Sequence, residues 1–390
     1  MKRKRQQIPL AWLQLAHSRV RFIVALAGIA FAGILIFMQL GFQASLYDSA
    51  VKVHRTIQAD LVLISPEARN FNNMSTIPRR RLYQANSLAD IASVKALYIE
   101  NLLWRPSHVQ QPTNLVVLGF DPENSIFNLA AINQQLHQLK IRDHLLFDRG
   151  TKGNFLQVLS QLNTGNFFVT EINQRRVNFV GSFQIGNSFG ADGYVITSDL
   201  NFLRLFRDRS AGGISIGLIT LEPGVEADTV KSLLQSYFGK NNRDVNVLTY
   251  SEWVEFEKDF WQNGSPIGFI FNLGVLMGFV VGVVIVYQIL YSDVSDHLAE
   301  YATLKAMGYR HSYLLKLVFQ ESAILATLGY IPGFAISQLL YSVARTATRL
   351  PISMNFNQAV IVFCLTLLMC IISGLVAVQK LQSIDPADIF

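Results

Sequence analysis

Apolar residues are concentrated in four long blocks, and polar residues are common in the segment between the first two. The blocks are residues 22–42, 267–291, 317–344 and 359–378, and the first two contain no charged residue. An α-helix rises about 1.5 Å per residue, so about 20 apolar residues cross a hydrocarbon core of about 30 Å. The pattern therefore predicts four transmembrane helices.

The long segment between the first two blocks, residues 43–266, predicts a domain of its own. Runs such as "DLVLIS" and "TNLVVLGF" are typical of strands, whereas "NLAAINQQLHQLK" and "ADTVKSLLQSYFG" have helical spacing. The predicted fold class is an α-helical membrane protein with four transmembrane helices. A large α+β extracytoplasmic domain is inserted between the first and second helices.

Charge predicts the orientation of the chain in the membrane. The formal net charge is +6, and residues 1–21 alone carry six basic residues and no acidic one. The positive-inside rule then places this amphipathic N-terminal segment in the cytoplasm. Four spans return residues 379–390 to the cytoplasm and leave 345–358 as a short outer loop. Arg345 and Arg349 in this loop count against the orientation, but the six basic residues of the N-terminal segment outnumber them. The basic charge thus indicates topology, and we expect no nucleic-acid partner.

Known catalytic and metal-binding patterns are missing from the sequence. It contains no HExxH or GxSxG, no His spacing typical of metal ligands, and no GxxxxGK[ST] loop for nucleotide phosphates. Cys364 and Cys370 both fall in the fourth span and are interpreted as core residues. We therefore expect no enzymatic activity, no metal and no cofactor in this chain; ATP, if used, is bound by another subunit.

Small residues mark a helix-packing face in the first two spans. Gly274, Gly278 and Gly282 form GxxxGxxxG, and Gly28 and Ala32 form a shorter version. Such faces let two helix backbones approach closely. The spacing predicts a tight seam, either within the chain or across a dimer.

Polar and aromatic residues at other membrane positions lead to two further predictions. Gln320 and Glu321 lie in the third span, where a carboxylate must face protein or water; a proton or substrate site and a structural hydrogen bond both remain open. Trp253, Phe260 and Trp261 precede the second span and are predicted at the outer membrane interface.

A short charged stretch, residues 292–313, separates the second and third spans. Apolar residues recur in it at helical spacing, and Gly308 is a typical helix stop. The pattern predicts an amphipathic cytoplasmic helix that either binds a partner protein or lies on the membrane.

The sequence "DHLAEYATLKAMGYRHSYLLKLVFQESAILATLGYIPG" resembles the core of FtsX/MacB-type ABC transporter permeases. The matching positions are Glu300, Leu304, Lys305, Ala306, Gly308, Glu321 and Gly329. The end of the chain, "LQSIDPADIF", is similar to the family's terminal pattern. The N-terminal region and "VVGVVIVYQILYSDVSDHLAEYATLKAMGY" are most similar to the cyanobacterial DevC subfamily.

The resemblance implies a permease that works with a separate ATPase, which binds the ATP and Mg²⁺. Residues 296–308, here called the coupling segment, would contact that ATPase. Its site residues are Asp296, His297, Glu300, Tyr301, Leu304, Lys305, Met307 and Gly308.

The resemblance also implies a bacterial inner-membrane homodimer with a MacB-like periplasmic domain. An HlyD-like adaptor, a TolC-like outer-membrane protein and membrane lipids are the further expected partners, and a lipid or glycolipid is the expected cargo. Two alternatives remain: an FtsX-like mechanotransmitter that regulates a periplasmic hydrolase, and a membrane-anchored ligand sensor.

Overall fold

Long helices and a large mixed sheet make up the structure. It is a computed structural model, and it describes residues 19–106, 111–239, 244–296, 311–348 and 350–382. In the first half of the chain the elements are α1 (Arg19–Ala50), a 3-10 turn (His54–Thr56), β1 (Leu61–Ile64), β2 (Ile77–Pro78), α2 (Arg80–Ala85), β3 (Ile91–Trp104), β4 (Thr113–Phe120), α3 (Ala130–Asn133), α4 (Leu136–Leu139), β5 (His144–Asp148), α5 (Leu156–Asn163), β6 (Phe168–Ile172) and β7 (Arg175–Phe183). They continue with β8 (Gly193–Ser198), α6 (Asp199–Leu205), β9 (Gly213–Ile214), β10 (Ile216–Leu221), α7 (Ala227–Phe238), β11 (Asn246–Thr249), α8 (Tyr250–Asp259), a π turn (Phe260–Gly264), α9 (Pro266–Asp296), α10 (His311–Thr348) and α11 (Phe356–Gln382).

Helices α1, α9, α10 and α11 are long and apolar enough to span a membrane. Their candidate spans are Arg19–Ala50, Pro266–Ser292, Val318–Thr348 and Phe356–Gln379, with mean hydropathy from 1.6 to 2.8. The first precedes a large mixed α/β region and the other three follow it, so the predicted fold class is confirmed. Each helix extends beyond its apolar block, because hydropathy marks only the part that crosses the membrane.

The chain divides into two units, each with its own core. The α/β unit is Leu46–Ser265, and the helical unit comprises the described residues up to Ser45 and from Pro266 onward. The predicted domain boundary at residue 43 therefore falls inside α1, which continues as one helix to Ala50.

A nine-stranded sheet organises the α/β unit. Its strand order is β11-β1-β10-β3-β4-β8-β5-β7-β6, and a separate two-stranded sheet pairs β2 with β9. The β4–β8 and β5–β7 pairs are parallel, and the other pairs in the large sheet are antiparallel. The central strand β4 is buried almost throughout, whereas the edge strand β6 has exposed residues at its centre.

Two hydrophobic clusters stabilise the α/β unit. One contains Trp104, which packs against Phe155 and Phe179 with ring centroids 5.5 Å and 5.4 Å away. The other contains Phe71 and Trp253 and uses the alternate residues of β4. Because β4 contributes to both clusters, both faces of the sheet are covered, which matches its continuous apolar sequence.

In the helical unit, α11 is hydrogen-bonded to both α9 and α10. The Ser373 hydroxyl donates to the Val283 carbonyl at 2.8 Å, and the Tyr330 hydroxyl donates to the Ala359 carbonyl at 3.0 Å. Cys370 is buried as predicted, but Cys364 is exposed because it lies on the other side of α11.

Candidate functional site

The predicted glycine face of α9 lies against α1 of the same chain. A Cβ added at Gly278 would sit 3.1 Å from Ile36 Cγ1, and one at Gly282 would sit 2.8 Å from Ala32 Cβ. On the α1 side, a Cβ at Gly28 would sit 2.5 Å from Ile285 Cγ2. Real Cβ atoms do not approach as closely as the contacts at Gly28 and Gly282, and the contact at Gly278 is tighter than most. The observed helix separation therefore favours glycine at all three positions.

Polar groups extend the same seam. A Cβ at Gly274 would meet the side-chain amide of Gln39 at 2.5 Å from Cδ. One helical turn along α1, the Gln43 amide donates to Asn272 Oδ1 at 3.0 Å. The α1–α9 contact therefore combines close backbone approach with amide groups that fix the register of the two helices.

Helix α10 also approaches α1 through glycines. A Cβ at Gly333 would lie 3.2 Å from the Ala30 carbonyl oxygen, and one at Gly329 would lie 2.8 Å from Ile29 Cβ. The hydroxyl of Tyr341, farther along α10, donates to the Phe37 carbonyl of α1. Helix α1 is thus in close contact with two neighbours, α9 and α10.

The two polar residues predicted in the third span have different environments. Gln320 is exposed on the helical unit. Glu321 is fully buried, as is the adjacent Ser322, whose hydroxyl faces Gly374 of α11. Glu321 therefore faces protein, and its role stays a prediction.

One residue of the coupling segment lies in the described part of the chain. Asp296, the last residue of α9, forms an ion pair with Arg21 at the start of α1, and about half of each side chain is exposed. The other predicted contact residues lie outside the described residues: His297, Glu300, Tyr301, Leu304, Lys305, Met307 and Gly308.

Within the α/β unit, a buried His54–Glu257 pair joins the segment after α1 to the helix before α9. His54 Nε2 lies 4.0 Å from Glu257 Oε2, and the two side chains are 0% and 3% exposed. Glu257 accepts hydrogen bonds from the Phe71 backbone N–H at 2.7 Å and from the Trp261 indole N–H at 2.9 Å. We call these four residues, together with Trp253, the junction cluster.

Burial perturbs both titratable groups of the junction cluster. It raises the pKa of Glu257 to about 7, although the hydrogen bonds from Trp261 and Phe71 act in the opposite direction. It lowers the pKa of His54 to about 3, opposed by the backbone carbonyl of Ala50. At neutral pH His54 is therefore uncharged, and Glu257 is poised to gain or lose a proton.

The structure corrects the predicted membrane-interface role of the tryptophans. Trp253 is 0% exposed and packs on His54 with ring centroids 4.2 Å apart, and Trp261 is 8% exposed and packs on Phe189. The prediction was wrong for both, because these rings belong to the core of the α/β unit and are not available to lipid headgroups.

A second buried carboxylate, Asp148, holds a loop near the end of α1. It accepts backbone N–H bonds from Gly150 and Gly186 at 2.8 Å each and from Ile185 at 3.2 Å. Burial raises the pKa of Asp148, and these three bonds oppose the shift. The Lys52 amine donates to the same loop, at the Asn187 carbonyl, over 3.4 Å. The residues that follow α1 are thus anchored at two places.

Sequence reasoning missed the junction cluster, and no local signal could have identified it. His54 and Glu257 are 203 residues apart in the sequence, and neither lies in a recognisable motif. Among the described residues, no group of three or more His, Cys, Asp or Glu side chains is placed to hold a metal ion. The cluster therefore offers proton-dependent packing and no assembled metal site.

Comparisons with known proteins identify one part of the chain. Residues 272–386 match the family model of the FtsX-like permease C-terminal region. No curated protein matches the chain.

Three solved structures resemble about half of the chain. The periplasmic region of MacB from Actinobacillus actinomycetemcomitans is 11% identical, with a TM-score of 0.34, over 51% of this chain and 92% of that one. The extracellular domain of the noncanonical ABC-type transporter YknZ from Gram-positive bacteria is 10% identical, with a TM-score of 0.33, over 49% and 100%. A domain of a Porphyromonas gingivalis protein described as a possible permease is 11% identical, with a TM-score of 0.29, over 50% and 88%. The family match extends from α9 through α11, so this carboxy-terminal part of the chain is similar to the C-terminal region of FtsX-like permeases.

Proposed function

We propose that this protein is the permease subunit of an ABC exporter and transmits ATP-driven motion from a separate ATPase to its α/β unit. The observation that carries the proposal is the family match over residues 272–386, which includes most of α9, the coupling segment, α10 and α11. A permease of this type needs a partner that binds and hydrolyses ATP. The coupling segment, with its apolar stripe and its charged faces, is the proposed contact.

The packing of the helices supports a mechanical role. Helix α9 leads directly into the coupling segment, and its glycine face holds it against α1. Both helices continue in sequence into segments of the α/β unit that meet at the His54–Glu257 pair. A displacement of the paired α1 and α9 would therefore be transmitted to the junction cluster through two short connections.

The finer assignments follow from the sequence resemblance and the charge pattern. We propose a DevC-like homodimer in a bacterial cytoplasmic membrane, with both termini in the cytoplasm and the α/β unit in the periplasm. An HlyD-like adaptor and a TolC-like outer-membrane protein complete the proposed assembly, and a lipid or glycolipid is the proposed cargo.

Co-purification with the candidate ATPase subunit, followed by assay of ATP hydrolysis in lipid nanodiscs, tests this proposal. We expect the wild-type chain to bind the ATPase and change its turnover, and Leu304→Asp to lose both effects. A matched control is Ala302→Asp, which adds the same charge to the opposite face of the predicted helix. It should retain binding.

Three other outcomes would contradict parts of the proposal. Equal loss of ATPase binding in Leu304→Asp and Ala302→Asp would contradict the proposal that the apolar stripe is the contact with the ATPase. A chain that binds no ATPase would favour the ligand-sensor alternative. A chain that couples to the ATPase and activates a periplasmic hydrolase without moving lipid would favour the mechanotransmitter.

A further inference from the structure

An open cleft in the α/β unit is lined by cationic and aromatic side chains. Its volume is about 460 Å³, and its lining residues are Pro78, Arg79, Arg80, Tyr83 and Gly212. The cleft forms where β2 pairs with β9, and the Arg79 backbone N–H donates to the Gly212 carbonyl at 2.8 Å. The backbone beneath the cleft is therefore fixed.

The carboxylate of Asp244, which lies beside Arg80, is already bound by another arginine. Arg81 is 8% exposed in its side chain and makes two bonds to Asp244, from Nε and from a terminal nitrogen, at 3.0 Å each. Arg80, with its side chain 72% exposed, reaches the same carboxylate only at 4.0 Å. Because bidentate pairing commits Asp244 to Arg81, the charge of Arg80 remains available to solvent or a ligand.

Arg79 has only neutral partners among the described residues. Its guanidinium lies 5.8 Å from the centre of the Tyr83 ring, and one terminal nitrogen donates to the Tyr98 hydroxyl over 3.4 Å. Its Nε is buried and has no hydrogen-bond partner in the described part of the chain. Asp199 acts on Tyr98 electrostatically but does not line the cleft.

The charge in and beside the cleft defines the class of ligand. Three guanidinium groups, from Arg79, Arg80 and Arg81, have one carboxylate, that of Asp244, within 4.0 Å in the described part of the chain, which leaves two positive charges. A phosphate monoester carries about −1.5 to −2 at pH 7 and presents three acceptor oxygens that suit paired arginines. We propose that this cleft binds a phosphate monoester, either as a soluble ester or as a lipid headgroup. This inference does not rest on the proposed transport function.

Isothermal titration of the full chain in an uncharged maltoside detergent tests the proposal. One arm uses glycerol 3-phosphate, and the other uses a water-soluble short-chain phosphatidic acid, with the matching phosphatidylcholine as a blank. We expect saturable binding in at least one arm. Arg79→Gln combined with Arg80→Gln should weaken that binding by about tenfold or more, because the double variant removes two charge-assisted hydrogen-bond donors to the phosphate.

The matched control is Arg142→Gln, which removes an arginine that is 71% exposed, as Arg80 is 72% exposed, but lies outside the cleft. Binding in this variant should stay within about twofold of wild type, since the phosphate does not contact it. The single variant Arg80→Gln, at an exposed side chain, keeps the test valid if the double variant unfolds.

The arms separate the two sources of phosphate. Binding in both arms identifies the phosphate itself as the ligand, and binding of phosphatidic acid alone identifies a lipid headgroup. Absence of saturable binding in both arms would overturn the proposal. Equal weakening by Arg142→Gln would also overturn it, because the attraction would then come from the general charge of the unit.

Discussion

Replacing Glu257 by glutamine should make the free energy of unfolding depend on pH in a range where the wild-type value is nearly constant. The folded state raises the pKa of Glu257 from 4.5 to about 7, so unfolding releases this proton between those pH values. The contribution of Glu257 to the free energy of unfolding therefore falls as pH rises from 4.5 to about 7. At about 1.4 kcal/mol per pKa unit, the total is about 3 kcal/mol.

His54 acts with the opposite sign. Its pKa falls from 6.5 in the unfolded chain to about 3 in the folded state, so unfolding takes up a proton between those values. The contribution of His54 to the free energy of unfolding therefore rises as pH rises from about 3 to 6.5. Between about pH 4.5 and 6.5 the two contributions cancel, and the pair makes wild-type stability nearly independent of pH there.

In Glu257→Gln only the His54 contribution remains. We expect the free energy of unfolding to rise by about 1.4 kcal/mol per pH unit from pH 4.5 to 6.5, relative to wild type. The glutamine amide has the shape of the protonated acid and does not titrate. Loss of a hydrogen bond in this variant therefore changes the free energy of unfolding by an amount that does not vary with pH. The slope is therefore the informative quantity.

Urea unfolding of the full chain in maltoside micelles, followed by tryptophan fluorescence, measures this slope. Three of the four tryptophans, at positions 104, 253 and 261, lie in the α/β unit and report its unfolding. Glu255→Gln is the matched control, since this glutamate lies on the same helix with its side chain 72% exposed. Parallel pH profiles for wild type and Glu257→Gln would refute the reasoning.

Three further substitutions test the packing of each unit. Gly282→Ala should lower the free energy of unfolding of the helical unit by about 1–3 kcal/mol, because the added methyl group meets Met369 Sδ of α11 and the rigid Cβ of Ala32 in α1. Its control Gly33→Ala meets nothing within 4 Å and should be neutral or stabilising in a thermal melt. Tyr341→Phe should cost about 1 kcal/mol in the same melt, since it removes the hydrogen bond to a carbonyl of α1. Trp261→Phe removes a donor that favours the Glu257 carboxylate, so the upper end of the Glu257 titration window should move up by about one pH unit in urea unfolding.

Local spacing predicts a packing face on α9 but does not name the helices that lie against it. A GxxxGxxxG pattern defines a face that a helix backbone can approach, and the face follows from the 3.6-residue period alone. Tertiary packing determines which helix lies against that face. The sequence left open whether this helix belongs to the same chain or to a second copy. Gly329 and Gly333 illustrate the same limit, because their positions in α10 gave no sign that α1 lies against them.

The tryptophan error has a related cause. Aromatic residues before a transmembrane helix suit an interface by composition, and composition alone led to the prediction for Trp253 and Trp261. Both are buried in the α/β unit, and the Trp261 indole N–H donates a hydrogen bond to the Glu257 carboxylate. Segments that are distant in sequence determine this environment. A local pattern therefore could not distinguish a position at the membrane interface from a position in the core of the α/β unit.

Hydrogen exchange at the junction cluster, with and without ATP, tests the central claim most directly. The sample is the full chain in nanodiscs with its candidate ATPase, and the amides are those of residues 51–57 and 250–261. If the chain transmits motion, ATP should change exchange in both segments, and Leu304→Asp should abolish the change while basal exchange stays the same. If ATP alters turnover of the bound ATPase and exchange at the junction cluster does not change, transmission by this route is contradicted.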